Sequence, residues 1–155
     1  MNPTSTLGVG CLLIENGRVL LVKPNYGKAK NHWILPGGFV ENGESLSVAA
    51  LRELREETNQ LGELVTPFCV RYRRDPSDVY WVFRVQRVAD SPIVVQSEEL
   101  LDVQFLSIEF SINSEEVRPM TQYFIKSSLL ENPRLNNLPT EYQENNFVYF
   151  FTGGN

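Results

Sequence analysis

Three glutamates, Glu53, Glu56 and Glu57, stand at i, i+3 and i+4 within Ser45–Asn59, a stretch that holds neither proline nor glycine. If that stretch is helical, the three carboxylates share one face, opposite an apolar stripe of Leu46, Ala50 and Leu54. Hard oxygen donors grouped in this way suit a divalent cation. Taken alone they also describe a solvated acidic surface, because like-charge pairs on an exposed helix cost only about 0.2–0.5 kcal/mol each. Arg52 reaches Glu56 at i+4, a spacing that can pin a carboxylate rotamer, with a plain salt bridge as the simpler account. Upstream, Gly37-Gly38 reads as a turn whose backbone can approach a ligand closely and offer a bare carbonyl to a cation. Glu44, near the helix start, is favoured there by the helix dipole whether or not it serves a metal.

Composition narrows what this face can do. The chain has 155 residues, enough for one compact domain over 1–155 with a self-sufficient core, and 42% of them are hydrophobic. With Lys plus Arg at 14 and Asp plus Glu at 19, the net charge is 14 − 19 = −5, which argues against stable nucleic-acid binding. Cys11 and Cys69 form no CxxC and read as two buried free thiols. His32 is the single histidine, so a multi-His metal site is impossible and chemistry falls to carboxylates. The longest apolar run, Leu7–Ile14, is broken by Gly8 and Gly10 and falls far short of a membrane span, so a cytoplasmic location is expected.

The elements that must position the carboxylates are legible in outline. Leu7–Glu15 and Arg18–Lys23 flank Asn16-Gly17 and predict a β-hairpin. Pro24–His32 reads as a polar, basic loop, followed by a short strand at Trp33-Ile34-Leu35. Past the helix, Leu64–Arg73 and Val79–Val88 predict strands joined by a turn at Asp75-Pro76-Ser77-Asp78. Ile93–Val95 and Val103–Leu106 bracket Gln96-Ser97-Glu98-Glu99, and Ser114–Leu130 predicts a second helix with Ser114 as its cap. From Glu131 the chain is Asn-rich and reads as irregular, apart from Phe147–Phe151.

Gly38, Glu44, Arg52, Glu53, Leu54, Glu56 and Glu57 together resemble the Nudix box, G-x5-E-x7-R-E-U-x-E-E-x-G-U, with U aliphatic. The pattern departs at its end. Its glycine is Asn59, a residue that also accepts the left-handed helix cap, and its last aliphatic position is Gln60, which suggests a one-residue slip that puts Leu61 in that role. The resemblance runs from Leu7 to about Leu106 and implies the Nudix fold, an α+β (α/β/α) sandwich with a mixed β-sheet between helices. It implies hydrolysis of a nucleoside diphosphate linked to another group X, with Mg2+ or Mn2+ and with water as nucleophile. Glu53, Glu56, Glu57 and the Gly37 carbonyl would then be metal ligands, and Arg52 would orient the carboxylates. Glu99, with Glu98 as its alternative, fits the place of a catalytic base on a later loop. Homodimers are frequent in the family.

For the small-molecule nucleotide substrate, Arg71 and Arg73 offer phosphate contacts, and Tyr26 and Trp33 offer stacking faces. Two functions remain open at this level: a hydrolase acting on nucleotide sugars such as ADP-ribose or on nucleoside triphosphates, and a catalytically silent nucleotide-binding module. The intact carboxylate set favours the hydrolase.

Overall fold

A computed structural model of the chain describes residues 4–95, 98–131 and 138–151, so Gln96-Ser97 and part of the Asn-rich stretch lie outside the described residues. Strands β1 (Thr6–Leu12), β4 (Gly37–Phe39), β5 (Gly62–Arg73), β6 (Asp78–Arg87) and β8 (Asn146–Phe150) form one sheet, in the order β4-β1-β6-β5-β8. A second sheet takes β2 (Ile14–Glu15), β3 (Arg18–Pro24) and β7 (Leu100–Ser107), in the order β2-β3-β7. The larger sheet is mixed, because β1 runs parallel to β6 while its other pairings are antiparallel.

Side-chain alternation along the strands divides the interior in two. Val9, Cys11, Leu13, Leu20 and Val22 pack under Ala49, Ala50 and Leu54 of α1 (Leu46–Thr58). Leu12, Val19 and Leu21 point the other way, toward Tyr123, Phe124 and Ile125 of α3 (Pro119–Ser128). Helices therefore cover both faces, the expected α/β/α sandwich. α1 lies within the expected bounds: Ser45 Oγ accepts the Val48 N–H at 3.1 Å, and Asn59 closes the helix in the left-handed region at φ 63°.

Several elements differ from expectation, each for a local reason. Asn16-Gly17 takes positive φ at both residues and closes β2 onto β3, but the hairpin extends little further. After the Leu20 N–H to Leu13 carbonyl bond, β1 departs for the larger sheet and β3 pairs with β7. Val9, Cys11 and Leu12 are all buried, as a strand enclosed on both faces requires. Gly37-Gly38 is strand β4 rather than a turn, while Trp33-Ile34-Leu35 forms only isolated bridges, Ile34 to Val22 and Trp33 to Val117. Among the described residues Ile93–Val95 pairs with no strand; the Val94 N–H goes to the Thr58 carbonyl instead.

The expected Ser114–Leu130 helix is α3 alone; a separate, unexpected helix, α2 (Ile108–Asn113), precedes it, and Ser114 ends α2 instead of capping α3. Pro119 imposes this break. Its ring forces Arg118 into an extended conformation, φ −59° and ψ 140°, so a helix can only begin at the proline. The segment after Glu131 contributes a short helix, α4 (Thr140–Gln143), and then β8, which pairs antiparallel with β5.

Candidate active site

The β1–β4 ladder sets the geometry of the site. The Cys11 N–H donates to the Pro36 carbonyl at 2.8 Å and the Val40 N–H to the Leu7 carbonyl at 3.0 Å. The intervening residues Gly37 and Phe39 therefore turn both backbone polar groups away from β1, toward α1. Gly37 N–H donates to Glu57 Oε1 at 2.8 Å, and the Phe39 carbonyl accepts from Arg52 Nη2 at 3.1 Å. Gly38 lets the helix lie this close, since a Cβ there would stand 2.5 Å from Glu53 Oε1.

Arg52 is the centre of the acidic face. Its Nε and Nη2 donate to the two oxygens of Glu44 at 2.6 and 3.0 Å, and its Nη1 donates to Glu53 Oε1 at 2.9 Å and Glu56 Oε2 at 3.1 Å. The Arg52 hydrogen bonds hold the Glu44 carboxyl below the usual carboxylate range. Glu44 is thus a partner of Arg52 more than a dipole-stabilised cap residue, a role that its eight-residue spacing does not reveal by helical periodicity. Glu53 is largely buried and Glu56 mostly exposed.

Charge on this face exceeds what Arg52 offsets. Burial raises the Glu53 pKa despite Arg52, and burial together with the Glu53 and Glu99 charges pushes Glu57 up to about 8. Among the described residues no three His, Cys, Asp or Glu side chains already converge as a cation cage, since Glu53 and Glu56 lean on Arg52. The donor set nevertheless fits a hard divalent ion: neighbouring carboxylates with surplus negative charge, beside an outward-facing backbone carbonyl.

A pH dependence follows. The folded, metal-free protein holds a proton on Glu57 up to about pH 8, whereas the unfolded chain loses it near 4.5. Across that window the folded state binds more protons, so metal-free stability falls as pH rises. A cation that ligates Glu57 must expel this proton, so its apparent affinity climbs by up to about tenfold per pH unit and levels off above pH 8. Calorimetric Mg2+ titrations from pH 6 to 9 check this; a flat affinity would remove Glu57 from the ligand set.

The helix exit corrects the expected slip. Gln60 is fully buried and Leu61 is 43% exposed, so Gln60 itself fills the position that the pattern reserves for an aliphatic side chain. Its polar atoms are satisfied: Nε2 donates to the Ser91 carbonyl at 3.0 Å, and Oε1 accepts from Arg87 Nη1 at 3.2 Å. Asn59 Nδ2 donates to the Pro92 carbonyl at 3.0 Å, fastening the same connection.

The remaining candidates divide. Glu99 is exposed at the start of β7, where its carbonyl accepts the Asn25 N–H at 2.7 Å, and its charge acts on both Glu57 and Tyr26. Tyr26 is 60% exposed, next to Asn25, whose N–H bonds the Glu99 carbonyl, and burial together with the charges of Glu99, Glu57 and Glu53 raises its pKa. Glu98 is exposed beside Glu99. Trp33 is a core residue, 3% exposed, with Lys23 Nζ 4.7 Å from its ring centroid, so it is not an open stacking face. Arg71 is committed to an ion pair with Asp78, and Arg73 Nε donates to the Pro76 carbonyl at 3.0 Å. Both cysteines are buried free thiols, as expected.

This fold and this carboxylate-bearing helix define a class, and comparison with known proteins places the chain in it. The NUDIX domain profile matches residues 4–125, and the chain belongs to the Nudix family. It is 31% identical over 125 residues to mouse (Mus musculus) nucleoside diphosphate-linked moiety X motif 6, which covers 76% of this chain and 40% of the mouse protein. It is 39% identical over 67 residues to Arabidopsis thaliana Nudix hydrolase 5, covering 41% of this chain and 22% of that protein. The chain thus spans less than half the length of either relative. Among solved structures, a bifunctional NMN adenylyltransferase/ADP ribose pyrophosphatase from Francisella tularensis, complexed with AMP and a Mn ion, superposes with a TM-score of 0.66 at 26% identity. That match covers 84% of this chain and 42% of the other. No helix among the described residues is long and apolar enough to cross a membrane.

Proposed function

We propose that this chain is a divalent-metal-dependent hydrolase that cleaves a phosphoanhydride bond in a nucleoside diphosphate joined to another group. A nucleotide sugar such as ADP-ribose is the first substrate to test, with nucleoside triphosphates next. The observation that carries the reading is the Glu53–Glu57 pair against Gly37 and Gly38, where burial and, after it, the Glu53 charge lift the Glu57 pKa to about 8. The ADP ribose pyrophosphatase activity and the Mn ion named for the Francisella protein support it.

Glu53, Glu56, Glu57 and the Gly37 carbonyl would hold Mg2+ or Mn2+, which would neutralise the diphosphate and polarise its phosphorus. Arg52 is the positioning residue, keeping Glu53 and Glu56 in fixed rotamers through one guanidinium. Glu99 is the proposed general base, exposed to solvent just before β7 with its charge acting on Glu57, where it can take a proton from the attacking water. Tyr26, next to Asn25 and under the Glu99 charge, is the proposed stacking residue for the nucleoside.

The test is a chromatographic product assay on ADP-ribose, other nucleotide sugars, dinucleoside polyphosphates and triphosphates, with Mg2+, with Mn2+ and with chelator. Metal-dependent release of nucleoside monophosphate from one class is the expected result. The silent-module reading draws on Arg52, which occupies carboxylate oxygens that a cation would need. Nucleotide binding without product would establish that reading and overturn the first.

A further inference from the structure

β1 carries glycine at two alternate positions, Gly8 and Gly10, on the sheet face opposite α1, where Tyr80 of β6 occupies the vacant space. A Cβ on Gly10 would stand 1.9 Å from the Tyr80 hydroxyl, and one on Gly8 would stand 3.2 Å from its ring. The phenol therefore lies along β1 with its oxygen over Gly10. It is gripped from both sides: Phe124 of α3 stacks on it at 6.0 Å between centroids, and the Arg71 guanidinium sits 5.5 Å from its centroid. Arg71 is itself fixed by its ion pair with Asp78, and Asp78 also accepts from Thr6 Oγ1.

The ring lies across the β1–β4 edge of the sheet from the α1 carboxylates. Gly10 is the register partner of Gly37, whose N–H holds Glu57, so the hydroxyl lies one strand away from that carboxylate's anchor. Burial first, then the neighbouring Cys11 and Glu57, pushes the Tyr80 pKa well above its ordinary value, and the phenol stays a neutral O–H donor. Among the described residues the hydroxyl forms no hydrogen bond, and Tyr80 is only partly buried against the core beneath α3. An unpartnered donor one strand from that anchor has its natural acceptor in the ligand.

We infer that Tyr80 is a substrate-binding residue whose hydroxyl donates a hydrogen bond to an oxygen of the nucleoside diphosphate held at Glu53 and Glu57. The inference rests on the proposed hydrolase reading and adds to it a binding contact on the sheet. Arg71 and Phe124 act through Tyr80 as positioning residues, which gives the Arg71–Asp78 pair a role other than direct phosphate contact.

The test is Tyr80→Phe, which keeps the ring and its packing and removes only the oxygen. With the best substrate of the wild-type chain, KM rises about tenfold, while kcat and the Mg2+ concentration for half-maximal activity stay within twofold. An unchanged KM, with or without a shift in Tm, overturns the proposal and leaves the hydroxyl a structural or water-binding group. A wild-type chain that neither binds nor cleaves any nucleotide sinks the hydrolase reading and this contact together. A wild-type chain that turns over normally beside an indifferent Tyr80→Phe variant sinks the contact alone.

Discussion

Glu57→Gln lowers kcat of the metal-dependent reaction by about 10²- to 10³-fold and leaves the fold intact. The amide has the shape of the carboxylate, and its oxygen can still accept the Gly37 N–H that holds Glu57 at 2.8 Å. What is lost is the negative charge, and with it the proposed hard ligand. Because burial and the Glu53 charge disfavour the ionised form of Glu57, the metal-free variant gains stability relative to wild type as pH rises through about 8. Rate loss and stability gain in one variant separate a functional carboxylate from a structural one. Steady-state turnover at saturating Mg2+, together with denaturant midpoints at pH 6.5 and pH 9, measures both. Full turnover in a folded variant would exclude Glu57 from the hydrolytic machinery.

Arg52→Ala has the second largest expected effect and acts by a different route. Without the guanidinium, Glu44, Glu53, Glu56 and the Phe39 carbonyl lose a common donor. Three carboxylates that shared one cation then repel each other, so Tm falls by a few degrees and half-maximal activation requires about 10- to 100-fold more Mg2+. Arg52→Lys restores little of either, because a lysine ammonium cannot reproduce the two-pronged grip on Glu44 together with the contacts to Glu53 and Glu56. Mg2+ activation curves and thermal melts on both variants are the measurement. A lysine variant matching wild type would reduce Arg52 to a point charge.

Features that depend on local periodicity and turn chemistry were readable in the residues. The spacing of Leu46, Ala50 and Leu54 against Glu53, Glu56 and Glu57 places α1 and its acidic face, and Asn59 takes the left-handed cap that its type allows. Features that depend on long-range pairing were not. Nothing local tells β1 to abandon its hairpin for a parallel partner about 70 residues away in sequence, or Glu44 to meet Arg52 across the helix start. Trp33 and Arg71 were open to a substrate role because exposure is invisible in a sequence; one lies in the core and the other is tied to Asp78. Tyr80 passed as an ordinary strand aromatic. Its only advance signal was the Gly-x-Gly alternation of Gly8 and Gly10, which marks where another group approaches a strand closely.

The buried Gln60 also constrains which substitutions lineages carrying this sequence can accept. The aliphatic residue that the Nudix pattern prefers cannot replace Gln60 without removing the donor from the Ser91 carbonyl and the acceptor from Arg87. Each isolated step is therefore uphill, although the aliphatic state is a sound solution elsewhere in the family. Positions 60 and 87 are therefore coupled through their side chains, whereas position 91 lends only a backbone carbonyl that any residue can supply.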